Sequence, residues 1–213
     1  MMKYSALVWM VMTSKLKPIV KDYWKEGNVN GLMRKAKGIY KNLLSEVEGV
    51  SDANPMSSNI RSGFIFLSVW LASEKKISTD DMGKIIKEFL KWKVAQNGYT
   101  KFDFRSEEGV KTFGCKMKNA ASWADAHPED NKTWKFGFNE NLHKEGFYYQ
   151  FSFCPIAAFC KEKGFPEFTP VLCNIDYITF KLMHANLYRQ HTIANGDDIC
   201  DYWLVDESVE NPQ

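Results

Sequence analysis

Between residues 189 and 203 the chain places Arg189, His191, Asp197, Asp198, Cys200 and Asp201 in one short stretch. A thiol can serve as a nucleophile, an imidazole or carboxylate can move protons, and a guanidinium can grip a carboxylate. His191 precedes a polar turn and Cys200 and Asp201 follow it. Two antiparallel strands joined there set groups nine or ten residues apart side by side. Alternation then puts Leu187, Arg189, His191 and Ile193 on one side of the first strand. On the return strand Cys200, Tyr202 and Leu204 face one way, and Asp201, Trp203 and Val205 the other. Asn195 to Asp198 are residue types that tolerate positive φ, so Asp197 and Asp198 are natural turn residues at the hairpin tip. With Arg189, Asp197 is also a candidate for holding a substrate.

Upstream, Cys154 precedes Pro155, which suits the first position of a helix. That placement sets the sulfur near unpaired amides and the positive dipole end, which lowers a thiol pKa and favours the reactive thiolate. The competing reading of Cys154 is a small buried hydrophobe. Cys173 and Asp176 are three apart on a predicted helix, hence on one face, with Phe180 continuing the stripe. An acid beside an apolar face marks a solvent boundary, the default here, or an internal cavity, because an unpaired buried carboxylate is costly. Cys154, Cys173, Cys200, His191 and the aspartates are types that zinc accepts, but no close Cys-x-x-Cys pair is present. A divalent metal therefore has no specific support, and no cofactor is assigned. The chain also lacks a Gly-rich phosphate loop, a Gly-x-Ser-x-Gly elbow and a His-Glu-x-x-His pair.

The elements that must position these residues follow from hydrophobic spacing. Residues 30 to 48 repeat apolar side chains at three and four, residues 60 to 73 are apolar nearly all round, and Ser78 caps a helix with Asp80 and Asp81 in its first turn. A further helix spans 107 to 124. Strands are predicted over 133 to 139 and 147 to 153, followed by a helix from Pro155 to a stop at Gly164 and a helix from a Thr169 cap toward Met183. A closing hairpin pairs 187 to 193 with 200 to 205. The fold class is α+β: a helical N-terminal region, 1 to 100, packed with a mainly antiparallel sheet of about four strands and two inserted helices, 101 to 213. No flexible linker separates the halves, so one continuous core is expected.

The 213 residues, 45% hydrophobic and 15% aromatic, supply a substantial core, and the net charge of +2 gives no reason to expect nucleic acid. Eight basic residues between 15 and 41 read as a solvated helix face. The apolar run at residues 6 to 12 has no cleavage site after it and is far too short to span a bilayer, so no membrane partner is expected. Five cysteines without a short-spaced pair fit a reducing compartment, and the cytoplasm is the expected location.

An aromatic strand ending in Cys154, then Pro166-Glu167-Phe168, Cys173 with Asp176, Arg189, and the closing run through Thr192, Gly196, Cys200 and Trp203 together resemble the L-2-amino-thiazoline-4-carboxylic acid hydrolase family. The likeness covers roughly residues 120 to 205, with Asn195 before the glycine and Trp203 where phenylalanine is expected. It implies an α+β protein acting on a small molecule by ring-opening hydrolysis of a cyclic amidine, with water added to the C=N carbon. In that chemistry Cys154 or Cys200 is the nucleophile, His191 or Asp201 moves protons, and Arg189 binds the substrate carboxylate; in an equally admissible version an aspartate activates water directly. The hairpin ending is similar, too, to small-molecule-binding sensor domains of the 4-vinyl-reductase type, which would bind a ligand without turnover.

Overall fold

Capping side chains start most of the helices of Met1–Trp92, the first of two units into which the chain divides; the second is Lys93–Gln213. The structure, a computed structural model, describes residues 2–139 and 141–209. In the first unit, α1 (Ala6–Tyr23) begins at Ser5, whose hydroxyl accepts from the Val8 N–H, and α2 (Val29–Ser45) begins at Asn28, whose side chain accepts from the Asn30 N–H. α3 (Ser57–Ala72) is buried along almost its whole length, as its all-round apolar sequence requires. α4 (Thr79–Phe89) is capped by Ser78, whose hydroxyl accepts from the Asp81 N–H at 3.1 Å. α2 packs on α3 and α1 on α4, burying Leu16, Tyr40, Leu44, Phe64 and Trp70. The apolar run at residues 6 to 12 is the start of α1, with Trp9 buried and Leu7 and Met10 exposed. No helix among the described residues is long and apolar enough to cross a membrane.

In the second unit, a short α5 (Lys93–Gln96) precedes α6 (Glu107–Ala126), which Ser106 caps through the Gly109 N–H. Four antiparallel strands follow in the order β1-β2-β4-β3: β1 (Lys135–Gly137), β2 (Phe147–Phe153), β3 (Ala185–Tyr188) and β4 (Cys200–Asp206). Between β2 and β3 run α7 (Pro155–Glu162), α8 (Thr169–Cys173) and α9 (Ile175–Lys181). The expected α+β class is the one observed. Phe113 of α6 seats the helices on the sheet, with its ring 5.5 to 6.1 Å from those of Phe102, Phe104, Phe147, Tyr149 and Phe180. Opposite it, Tyr149 of β2 pairs in register with Tyr202 of β4, and their rings stack at 4.7 Å. Such aromatic cross-strand pairs both stabilise the sheet and fix its register.

Three expected boundaries shift. β1 is three residues long instead of spanning 133 to 139: the Thr133 N–H turns back to the Asp130 carbonyl just before it, and its register slips between Lys135 and Phe136. The helix from Thr169 is interrupted at Asn174, and Thr169 makes no side-chain cap; it sits inside, buried. The closing hairpin is the largest correction. β3 ends at Tyr188, so Arg189, His191 and Ile193 do not alternate along a strand. The ladder stops because side chains of the return segment take the backbone donors that would have continued it. The N–H groups of Gln190 and His191 donate to the Asp201 carboxylate, that of Thr192 to Asp197 Oδ2, and that of Ile193 to Cys200 Sγ. A single turn of 3-10 helix, Ile193–Asn195, and Gly196 at φ 99° then reverse the chain.

Candidate functional site

Asp176, in the first turn of α9, is the centre of the densest chemistry in the second unit. Arg189, the first residue after β3, donates from Nη1 to Asp176 Oδ2 at 3.0 Å, and from Nη2 to the Cys173 carbonyl at 3.1 Å. Tyr202 of β4 donates its hydroxyl to the same Oδ2 at 3.1 Å. The Arg189 guanidinium lies 4.8 Å from the ring centre of Tyr177 and 5.4 Å from that of Tyr202. Only 3% of the Arg189 side chain is exposed, whereas Asp176 keeps 31%. A buried cation would be costly alone, so this pair is what allows Arg189 to turn inward. Asp176 is thus gripped through Oδ2 by Arg189 and Tyr202 while part of its side chain stays exposed.

Burial pushes the Asp176 carboxyl above the usual carboxylate range, while the Arg189 guanidinium and the Tyr202 hydroxyl pull it back toward ionisation. Arg189 stays protonated: burial works against its charge, but Asp176 and the neighbouring tyrosine rings more than compensate. Tyr149 and Tyr202 are held well above the ordinary phenol value, chiefly by burial and then by Asp176, so both hydroxyls are donors.

Three thiols share this neighbourhood, each in electrostatic reach of Asp176. Burial pushes Cys154 up to about 12; the Ala157 and Ile156 amides of α7 lower it, but by less than burial raises it. The helix-terminus effect expected from Pro155 is therefore present and outweighed. Cys173 is raised by burial and then by Asp176. Burial also raises Cys200, although its sulfur accepts the Ile193 N–H at 3.2 Å. At neutral pH all three are thiols, not thiolates.

The other sequence candidates sit apart from Asp176 in role. Asp201 accepts from the Gln190 N–H at 3.1 Å and the His191 N–H at 2.6 Å, which clamps the segment carrying Arg189. His191 leaves 49% of its side chain exposed, with Nδ1 at 3.7 Å from Asp201 Oδ1. Asp197 accepts the Thr192 N–H at 2.7 Å and shapes the turn, as its residue type suggested. So the fold gathers Cys154, Cys173, Asp176, Arg189 and Cys200, leaves His191 and Asp197 in the connecting loop, and turns Asp201, near the start of β4, to the backbone of that loop. Tyr202 and Tyr149 are the residues that the sequence reading passed over. Strand alternation had already placed Tyr202 beside Cys200, and that was the available signal. Among the described residues no group of three or more His, Cys, Asp or Glu side chains is arranged to hold a metal ion.

Comparison with protein families matches residues 58–204 to the model described as L-2-amino-thiazoline-4-carboxylic acid hydrolase. Neither curated proteins nor solved structures gave a match.

Proposed function

Because the chain belongs to the L-2-amino-thiazoline-4-carboxylic acid hydrolase family, we propose that it opens a small cyclic amidine such as 2-amino-thiazoline-4-carboxylate, with Asp176 activating the water. The observation that carries this reading is a carboxylate fixed through Oδ2 by Arg189 and Tyr202 on a side chain that stays partly exposed. Water adds to the C=N carbon as one of its protons passes to Asp176. The tetrahedral adduct collapses by breaking the bond from that carbon to the ring sulfur, and its oxygen becomes a carbonyl. One water proton ends on the ring nitrogen and the other on the departing sulfur, so the product carries a free thiol. A carboxyl whose proton affinity is raised is a better base than an ordinary one, provided it remains ionised at the working pH. Arg189 keeps that condition.

The alternative in which Cys154 or Cys200 attacks as a thiolate has less support, because burial keeps both protonated. Arg189, committed to Asp176 and the Cys173 carbonyl, acts in this reading as the partner of the base. The test is incubation of the purified protein with 2-amino-thiazoline-4-carboxylate, with and without a chelator, following ring opening by NMR and released thiol by colorimetry. Asp176→Asn is expected to lower kcat by about 10²- to 10⁴-fold, the range for loss of a positioned general base, while Cys154→Ser keeps activity within a few-fold. Full activity in Asp176→Asn, or its loss in Cys154→Ser with the fold intact, would overturn the assignment. Saturable binding of the compound without released thiol would instead support a ligand-binding domain.

A further inference from the structure

Taking Asp176 as the base, we infer that Tyr202 is a positioning residue that dedicates one carboxylate oxygen of Asp176 to structure and leaves the other for the reacting water. Arg189 Nη1 and the Tyr202 hydroxyl both end on Oδ2, at 3.0 and 3.1 Å. Among the described residues no side chain or backbone N–H donates to Oδ1. The two oxygens of one carboxylate are therefore inequivalent. A carboxylate gripped through one oxygen has its plane defined, and its remaining lone pairs point in fixed directions.

Tyr202 is itself held firmly enough to do this. Its ring stacks on Tyr149 at 4.7 Å with a 10° interplanar angle and meets the Phe151 ring edge-on at 5.4 Å. Its backbone lies in β4, the strand flanked by both β2 and β3, and Phe180 of α9, one turn beyond Asp176, closes the other side of the ring at 6.3 Å. The sheet thereby measures out the distance from β4 to the α9 carboxylate.

The groups facing Asp176 are Arg189 after β3, Tyr202 and Cys200 on β4, Tyr149 on β2, Cys154 before α7, Cys173 on α8, and Tyr99. Only Arg189 and Tyr202 donate hydrogen bonds to it. Arg189 supplies the charge that keeps the acid ionised, and Tyr202 adds a neutral donor that favours carboxylate over carboxylic acid without tying up a second ion.

Tyr202→Phe removes the hydroxyl and keeps the ring, so the stacking that organises the sheet is retained. The full-length protein, carrying ¹³C-labelled aspartate, is titrated by carboxyl NMR, and kcat/KM for 2-amino-thiazoline-4-carboxylate is followed against pH. In Tyr202→Phe the Asp176 midpoint is expected to rise by about one to two pH units, the scale of a hydrogen bond to a charged acceptor. The acid limb of kcat/KM should move with it, and kcat should fall on the plateau while KM stays within two-fold. Thermal melting of the variant reports whether the fold is intact. An unchanged midpoint, or a loss carried by KM alone in an active enzyme, overturns the role of Tyr202. Absence of turnover in the wild type overturns the hydrolase reading and the catalytic half of this inference together, while the midpoint comparison separately judges whether Tyr202 holds the carboxylate.

Discussion

At the scale of single residues, two aspartates on neighbouring elements do opposite work. Asp201 spends its carboxylate on the N–H groups of Gln190 and His191, whereas Asp176 presents one oxygen without a protein donor. Asp201→Ala is therefore expected to cost about 1.5 to 3 kcal/mol of stability through lost charge-assisted hydrogen bonds, seen as a lower Tm, with any fall in activity following from displacement of Arg189. If Asp201 moved protons in the reaction, Asp201→Asn would abolish turnover at unchanged Tm. The thiols give a second prediction. With Cys154 at about 12, its alkylation by iodoacetamide should be slow at pH 8 and rise about tenfold per pH unit without levelling by pH 10. Exposed Cys115 should label first in a mass-resolved time course. For Asp176 the sign of the pH effect on stability follows from a raised folded value. Its contribution is complete below the unfolded carboxylate pKa and is lost as pH rises through the folded one. The stability of wild type relative to Asp176→Asn should accordingly decline across that window in denaturant melts.

At the scale of elements, the site depends on how closely β2 and β4 approach. Gly146, just before β2, has φ 78°, and a Cβ placed on it would stand 2.0 Å from the Leu204 carbonyl oxygen. Neither strain has a flexible side chain to absorb it. Gly146→Ala should lose about 1 to 3 kcal/mol by overpacking and separate Tyr202 from Asp176, so that kcat falls along with Tm; an unchanged melt would show that the strand junction yields. The loop from Arg189 to Cys200 belongs to this scale as well. Four consecutive backbone donors bind carboxylate or sulfur instead of a neighbouring strand, and this folds Arg189 inward where a continued strand would have alternated it with His191. The short helices α8 and α9 meet at Asn174 and bring Cys173 and Asp176 to the same guanidinium.

At the scale of the whole molecule, the chain divides between Trp92 and Lys93. Lys91 and Lys93 are exposed there, and Val94 leaves 54% of its surface open. Limited trypsinolysis of the native protein should cut first at this junction and yield one fragment from each unit by mass spectrometry; first cuts inside α3 or β4 would contradict the division. The family-matched segment begins in α3 and ends in β4, so it draws on both units. Amino-acid order alone determined the amphipathic helices, the Ser78 cap, the Pro155 start, the α+β class and the family, because each rests on spacing or on side chains that act within a few residues of themselves. It also placed Cys200 and Tyr202 on one side of a strand. Tertiary structure decided which acid sits at the centre of the site and what state the thiols hold. Asp176 and Asp201 look alike in sequence, and only long-range partners, Arg189 and Tyr202 for one and two backbone amides for the other, distinguish them. The Cys154 thiol is likewise set by burial, a property of everything packed around it, which outweighs the local helix-terminus amides that the sequence displays.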